Sequence, residues 1–217
     1  MMKRRAEAMN NKFAPFRVLT VLCLFAVFQL SACAPLVVGS AALAGKVAID
    51  RRTAGIQVED EAIELRSESG LQGILPKNVN VRVNSYNRMV LLTGEVNSDS
   101  EKALTERFVK SQDNVKAVVN DLAIRPESSL TQRAKDKVIN GQVRALLIQA
   151  KDIHSSAVHI VVERGIVYLM GRLTNNEANR VTELVSTSRV SGVEKVVKVF
   201  ELISDDDLKR LVAPAKR

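Results

Sequence analysis

Cysteine and aromatic residues are scarce in this chain of 217 residues, and their scarcity excludes several classes of chemistry. The sequence has two cysteines and no tryptophan, and aromatic residues make up 4% of it. A surface that stacks nucleic-acid bases needs aromatic side chains within a basic groove, so we expect no nucleic-acid partner. Phosphate-binding glycine loops, nucleophile elbows and paired-carboxylate motifs are also missing. We therefore expect a protein that is not an enzyme and that has no cofactor.

Only one long apolar run occurs, at Val18–Phe28, and it lies near the start of the chain. Basic residues precede it, and Leu30-Ser31-Ala32-Cys33 follows it. A basic start, a short apolar stretch and small residues at the cleavage point are typical of a secretory signal peptide. The ending resembles a bacterial lipobox, in which the cysteine becomes the lipid-modified first residue of the mature protein. We predict lipidation at Cys33; the alternatives are an ordinary signal peptide or a short transmembrane anchor.

Removal of residues 1–32 would change both the charge and the thiol content of the chain. These residues hold five bases and one acid, so about half of the formal net charge of +8 belongs to the signal. Cys23 lies inside the apolar run and would be removed with it. A lipidated Cys33 would then leave no thiol for a disulfide or a thiolate metal site. Ala34 stands where many inner-membrane lipoproteins have aspartate, which favours the outer membrane.

The sequence after the signal contains an internal duplication. Val81–Val83 followed by Val90–Gly94 matches Val158–Ile160 followed by Val167–Gly171 at an offset of 77 residues. Self-similarity over this length indicates two copies of one structural unit. Paired runs of alternating β-branched residues predict a hairpin in each copy. A capping box then predicts the helix that follows each hairpin.

The residue pattern of each copy predicts a module with the element order αββαβ. Its three strands would form a mixed sheet with two helices on one face, so the predicted fold class is α+β with two tandem modules. The glycines expected at turns or element ends are Gly165 in the second hairpin turn, Gly94 and Gly171 at matching strand ends, and Gly192 after the last helix. The predicted segments are leading helices at about 59–72 and 133–150, hairpin strands at 79–85, 89–96, 157–162 and 166–173, and a last strand at 193–203.

These units, with their V-x-V and V-x-L-x-G hairpin strands, resemble BON domains. A lipobox followed by two such units resembles the dual-BON-domain outer-membrane lipoproteins of Gram-negative bacteria, the DolP type. In the first copy Arg88 stands where the family usually has glycine. The resemblance implies a lipid-anchored protein at the outer membrane, facing the periplasm, with roles in phospholipid binding, outer-membrane integrity and division-site localisation. We divide the chain into a signal peptide with lipobox (1–32), a lipid-anchored linker (33–58), two BON-like domains (59–125 and 126–204) and a C-terminal tail (205–217).

The two leading helices differ in charge, and the second is the candidate lipid-binding element. The first is acidic, whereas the second carries four bases that fall within about 40° of one another on a helical wheel. Such a row can lie on an anionic membrane, where each base contributes on the order of 1 kcal/mol before screening. The alternative is a solvated charged face. The predicted phospholipid-binding residues are Arg133, Lys137, Arg144 and Lys151, with Arg189 and Lys195 nearby.

The two histidines, His154 and His159, do not predict a metal site, even with Asp152 close in sequence. His159 lies in a predicted strand, so its side chain should point away from its apolar neighbours, towards solvent or an interface between the modules. At the level of function, one alternative to phospholipid binding stays open. It is an envelope scaffold that binds a protein partner and contacts the membrane only through the lipid on Cys33.

Overall fold

The structure is a computed structural model that describes residues 50–212. It contains two modules with the element order αββαβ, which confirms the predicted α+β fold class. The predictions on Cys33, the signal peptide and most of the linker lie outside the described residues. The elements of the first module are α1 (Ala54–Ile74), β1 (Asn80–Tyr86), β2 (Met89–Val96), α2 (Asp99–Lys110), β3 (Ala117–Asn120) and β4 (Ala123–Ile124). Those that follow are α3 (Leu130–Gln149), β5 (Val158–Glu163), β6 (Ile166–Leu173), α4 (Asn175–Thr187), β7 (Lys195–Leu202) and α5 (Asp205–Val212).

Both leading helices begin earlier than predicted, because hydroxyl side chains cap them. The side chain of Thr53 accepts a hydrogen bond from the amide of Ile56 at 3.3 Å, and this contact starts α1. Ser129 starts α3 by accepting from the amide of Gln132 at 3.1 Å. Each contact satisfies an amide that the first turn of a helix leaves without a partner. The segment predicted as a tail also begins with a helix, α5, directly after Ser204.

In each module the hairpin strands are antiparallel and the last strand runs parallel to the second one. The last strand of the first module is interrupted, so β3 and β4 both pair with β2. Gly94 and Gly171 lie inside β2 and β6, and not at their ends as predicted. A Cβ atom at these two positions would lie 2.0 Å and 2.4 Å from the carbonyl oxygens of Asn80 and Ala157. The neighbouring chain segment, and not the exit towards the next helix, therefore excludes a side chain.

A buried aspartate on each leading helix binds the hairpin turn of its own module. Asp60 accepts hydrogen bonds from the amides of residues 87 and 88 at 2.8 and 2.7 Å. Asp136 accepts from the amides of residues 164 and 165, both at 2.9 Å. All four turn residues have a positive φ, 75° at Gly165. Each carboxylate thus satisfies two amides that the tight turn points away from the sheet ladder.

The two modules pack against each other through their sheets, so their helices lie on the outside. One face of each sheet packs on the two helices of its own module. The other faces meet in a third apolar cluster that contains residues of both modules. Within residues 50–212 the layers are helix, sheet, sheet and helix, with α1 and α3 in opposite outer layers. The buried members of the third cluster are Tyr86 and Leu91 of the first module and Val161, Tyr168, Met170 and Val199 of the second.

Polar contacts cross the same interface between the modules. The hydroxyl of Tyr168 in β6 donates a hydrogen bond to the carboxylate of Asp121 at 2.7 Å. Nη1 of Arg164, in the second hairpin turn, lies 2.6 Å from Oε1 of Glu95 in β2. Ser128, between the modules, also donates to Glu95. The interface therefore combines an apolar centre with specific polar contacts, and it joins the two modules into one packed body.

Candidate membrane-binding helix

Helix α3 presents one side to the core of the second module and the opposite side to solvent. Ile139, Val143 and Leu147 are at most 3% exposed and pack against β5, β6 and α4. Asp136 lies on the same side and holds the hairpin turn. Since 100° separates successive residues, this buried stripe determines which side chains of α3 remain on the surface.

Lys137 and Arg144 lie on the surface of α3 as predicted from the helical wheel, and both are exposed. Neither has an ion-pair partner among residues 50–212. Arg133 is different, because it forms a salt bridge with Glu127 and is half-buried. The charge of Arg133 is therefore already compensated by a neighbouring acid, which leaves Lys137 and Arg144 as the uncompensated cations of the predicted row on α3 within residues 50–212.

Lys151 does not belong to the helical row, and the prediction was wrong at this position. Helix α3 ends at Gln149, since Ala150 adopts extended backbone angles, with φ of −73° and ψ of 109°. Lys151 is exposed in the turn that follows. The helical-wheel angle that grouped Lys151 with the other bases assumed that the helix continued about half a turn beyond Gln149.

Arg189 and Lys195 are exposed at the two ends of the segment that joins α4 to β7. This segment contains Gly192, with φ of 88°. It borders a groove on the side of α3 that carries Lys135 and Gln142. That side lies well over 90° around the helix from Lys137 and Arg144. The structure therefore does not bring Arg189 and Lys195 together with Lys137 and Arg144.

The solvent side of α3 also carries an apolar row, which the sequence analysis missed. Leu130, Val138 and Ile148 are 81%, 59% and 65% exposed. Small exposed residues, Ala134, Gly141 and Ala145, lie between them. Leu130 and Ile148 project within about 40° of Lys137 and Arg144 on the helix. The spacing of these apolar residues was visible in the sequence, but apolar residues on a helix are first assigned to its core-facing side.

A groove of about 310 Å³ beside α3 is lined by Lys137, Arg82, His159 and Glu163 among others. Burial lowers the pKa of His159, and nearby arginines lower it further, so its ring is neutral at pH 7. The ring centroid lies 6.4 Å from that of Tyr86, which places His159 at the interface between the modules. Glu163 is buried, which raises its pKa, and its Oε2 lies 3.3 Å from Nε of Arg82. Among the three cations that line this groove, Arg82 and Arg133 form salt bridges and Lys137 has no ion-pair partner within residues 50–212.

A metal centre and a membrane-spanning helix are two other kinds of site. Within residues 50–212 no group of three or more histidine, cysteine or acidic side chains is arranged to hold a metal ion. In the same part of the chain, none of the helices has the length and apolar character needed to cross a bilayer.

The family model of the BON domain matches this chain twice, at residues 64–126 and 135–204. The chain belongs to the BON-domain family. It is 34% identical over 192 residues to outer membrane lipoprotein DolP of Haemophilus influenzae, covering 88% of this chain and 98% of that protein. It is also 27% identical over 157 residues to a 21 kDa hemolysin of Actinobacillus pleuropneumoniae, covering 71% and 80%. Among solved structures, the type III secretion protein CdsD of Chlamydia trachomatis matches at 14% identity and a TM-score of 0.29, covering 70% of this chain and 99% of that one.

These comparisons confirm the resemblance to dual-BON-domain lipoproteins of the DolP type. They also confirm the predicted location, because DolP of Haemophilus influenzae, which this chain matches over 98% of its length, is an outer membrane lipoprotein. This protein is accordingly an outer-membrane lipoprotein with two BON domains. Its lipidated residue and its lipid-binding residues stay predictions.

Proposed function

We propose that this BON-domain lipoprotein binds anionic phospholipid through the exposed side of α3 and thereby supports outer-membrane integrity, including at division sites. One observation carries the proposal. Lys137 and Arg144, uncompensated within residues 50–212, lie beside the exposed side chains of Leu130 and Ile148 on a helix of the outer layer. A helix with this combination binds at the membrane interface, where its apolar side chains enter the acyl boundary and its cations meet lipid phosphates.

The apolar side chains should contribute more binding free energy than the cations. Two cations near an anionic surface supply about 2 kcal/mol together before screening. Fully burying a leucine, valine or isoleucine side chain is worth roughly 1.5–3 kcal/mol, so half-burying three of them supplies about 2–4 kcal/mol. Salt screens only the first contribution. We therefore expect added salt to weaken vesicle binding without abolishing it.

Reversal of the two cations, Lys137→Glu with Arg144→Glu, should weaken binding to anionic vesicles at least tenfold at low salt, since each reversal replaces an attraction by a repulsion. The measurement is co-sedimentation of residues 33–217 carrying Cys33→Ser with vesicles that contain phosphatidylglycerol. The matched control is Lys110→Glu with Lys116→Glu, which changes net charge equally at exposed positions of the first module.

The same assay separates the contribution of the apolar side chains from that of the cations. Leu130→Ser with Ile148→Ser should remove the binding that persists at about 500 mM salt, where the Debye length is only a few ångströms. Circular dichroism checks that each variant is folded. The proposal would be contradicted if the chain that carries Cys33→Ser alone sedimented equally with anionic and neutral vesicles at low salt. Full binding by the variant with both cations reversed would also contradict it.

We also propose that Cys33 carries the lipid anchor. One acyl chain binds a membrane reversibly, whereas further chains make attachment stable, so the anchor alone can hold the protein. The side of α3 then serves to select anionic lipid and to orient the second module. Mass spectrometry of the mature N-terminus should show a chain that starts at a lipid-modified Cys33. An unmodified cysteine, or a chain that starts elsewhere, contradicts this assignment.

The scaffold alternative makes an opposite prediction for the vesicle assay. If membrane contact came only from the lipid, the chain with Cys33→Ser would not sediment with vesicles of any composition. A delipidated chain that still retained one specific envelope protein would then favour the scaffold. The combination on α3 of exposed apolar side chains with the cations Lys137 and Arg144 favours lipid, because such a helix can place its apolar side chains in the acyl boundary and its cations on lipid phosphates.

A further inference from the structure

Helices α1 and α3 carry opposite charges at equivalent exposed positions. The two helices align at an offset of 76 residues, which superposes the turn-binding residues Asp60 and Asp136. At this offset Glu61 of α1 corresponds to Lys137 of α3. Seven residues further along, Glu68 corresponds to Arg144 in the same way.

All four of these charged side chains, Glu61, Glu68, Lys137 and Arg144, are exposed on the outer layers. None of them has an ion-pair partner in the part of the chain that the structure describes. The two copies thus present one arrangement with opposite sign, and neither of these charged pairs is compensated by an ion pair within residues 50–212.

The acidic pair on α1 lies beside an apolar pair, as the basic pair on α3 does. Val58 and Leu65 are 68% and 70% exposed and project within about 80° of Glu61 and Glu68. On α3 the corresponding positions are Ala134 and Gly141, whose small side chains allow a second helix to approach closely. Large apolar side chains on α1 therefore correspond to small residues at the equivalent positions of α3.

The spacing of the charges suits an antiparallel pair of helices. Seven residues, or about 10.5 Å along the axis, separate the two charges on each helix. In an antiparallel pair Glu61 would meet Arg144 while Glu68 meets Lys137, and Leu65 would lie over Gly141. In a parallel pair the two charged rows would fall on opposite sides of the contact. We propose that α1 of one copy of this protein docks antiparallel on α3 of a second copy.

The layered fold makes this association open-ended. Because α1 and α3 lie in opposite outer layers, two copies cannot form both contacts with each other. A contact between two different surfaces that does not close generates a head-to-tail series. One helix pair buries less than the area of a standard interface, so each contact is weak and salt-sensitive. The side of α3 accepts one occupant at a time, so anionic vesicles compete with the second copy.

Sedimentation velocity of the mature chain with Cys33→Ser, without lipid, tests the proposal. At protein concentrations up to about 1 mM, a range that reveals weak association, the sedimentation coefficient should rise with concentration at about 50 mM salt and not at about 500 mM. Glu61→Lys with Glu68→Lys should weaken association at least tenfold, and so should Lys137→Glu with Arg144→Glu. Lys110→Glu with Lys116→Glu should leave it within twofold of wild type.

The decisive variant combines all four reversals, because it restores both complementary pairs and the wild-type net charge. It should associate within about threefold of wild type. Continued monomeric behaviour of this variant, in a folded protein, would overturn the proposal. So would a wild type that stays monomeric at low salt, or unimpaired association of the variants with only one helix reversed.

A disulfide probe locates the contact directly. Mixing chains that carry Leu65→Cys with chains that carry Gly141→Cys should yield a cross-linked pair under mild oxidation, since these positions face each other in the antiparallel arrangement. Mixing Leu65→Cys with Lys110→Cys should not, and equal cross-linking of the two mixtures would contradict the contact. A chain that binds vesicles but never associates overturns this inference alone, whereas a chain that associates but ignores vesicles overturns the proposed lipid binding alone.

Discussion

Replacing Arg164 by methionine is expected to destabilise the folded protein by about 3 kcal/mol at neutral pH. Arg164 lies 2.6 Å from Oε1 of Glu95, whose side chain is fully buried, and joins the two modules. Methionine keeps the length of the side chain but removes the cation. Glu95 would then retain only hydrogen bonds from Ser128 and Asn80, the latter at 3.0 Å. Removal of one partner from a buried pair is costly because the other charge stays buried and uncompensated.

The loss should depend on pH in a defined direction. Burial raises the pKa of Glu95, but hydrogen bonds from Ser128, Asn80 and Arg164 outweigh it and hold the pKa below its ordinary value. A carboxylate with a lowered folded-state pKa stabilises the fold above its unfolded pKa, and this stability is lost as the pH falls through the folded pKa. Without the arginine the folded pKa of Glu95 rises. The difference between wild type and variant should therefore shrink between pH 7 and about pH 4.

Urea unfolding at both pH values measures this difference. Arg107→Met, at an exposed position on α2, is the matched control and should change the free energy of unfolding by less than about 0.5 kcal/mol. A loss for Arg164→Met that is equally small, or that is the same at both pH values, would mean that the buried charge of Glu95 does not govern the junction between the modules.

Local elements of this fold could be predicted from the sequence because their signals lie within a few residues. The box at Thr174 and Glu177 forms both of its reciprocal hydrogen bonds and starts α4 where expected. The hairpins follow from alternation and from turn residues that tolerate positive φ. The duplication then extended each inference from one module to the other. Element type and order were thus determined by short-range chemistry that appears twice in one chain.

The packing of the modules could not be predicted in the same way. Strands β2 and β6 are buried on both faces, so alternation shows which side chains share a face but not what covers it. Long-range pairs such as Tyr168 with Asp121 join residues 47 positions apart, and no local pattern announces them. The environment of Arg133 depended similarly on Glu127, in the segment between modules. Exposure of Leu130 and Ile148 became visible only once the core-facing side of α3 was known.

Replacing Tyr168 by alanine is expected to destabilise the protein by about 3–5 kcal/mol, because a large side chain between the two sheets would be lost. Tyr168 is 1% exposed in the cluster shared by the modules. Burial and the hydrogen bond to Asp121 both raise its pKa, so its hydroxyl stays protonated and donates. Tyr168→Phe removes only that hydrogen bond and should cost about 1 kcal/mol. Thermal unfolding of the three proteins measures both differences.

Leu169→Ala is the matched control, since Leu169 is equally buried but points to the helices of its own module. If the sheets stabilise each other, Tyr168→Ala should speed amide hydrogen exchange in β2 of the first module, around Leu91. Leu169→Ala should speed exchange mainly in the second module. Equal effects of the two variants on β2 would contradict a direct contribution of the interface. The exposed side of α3 is formed within the second module, so vesicle binding should survive Tyr168→Ala at temperatures where that module remains folded.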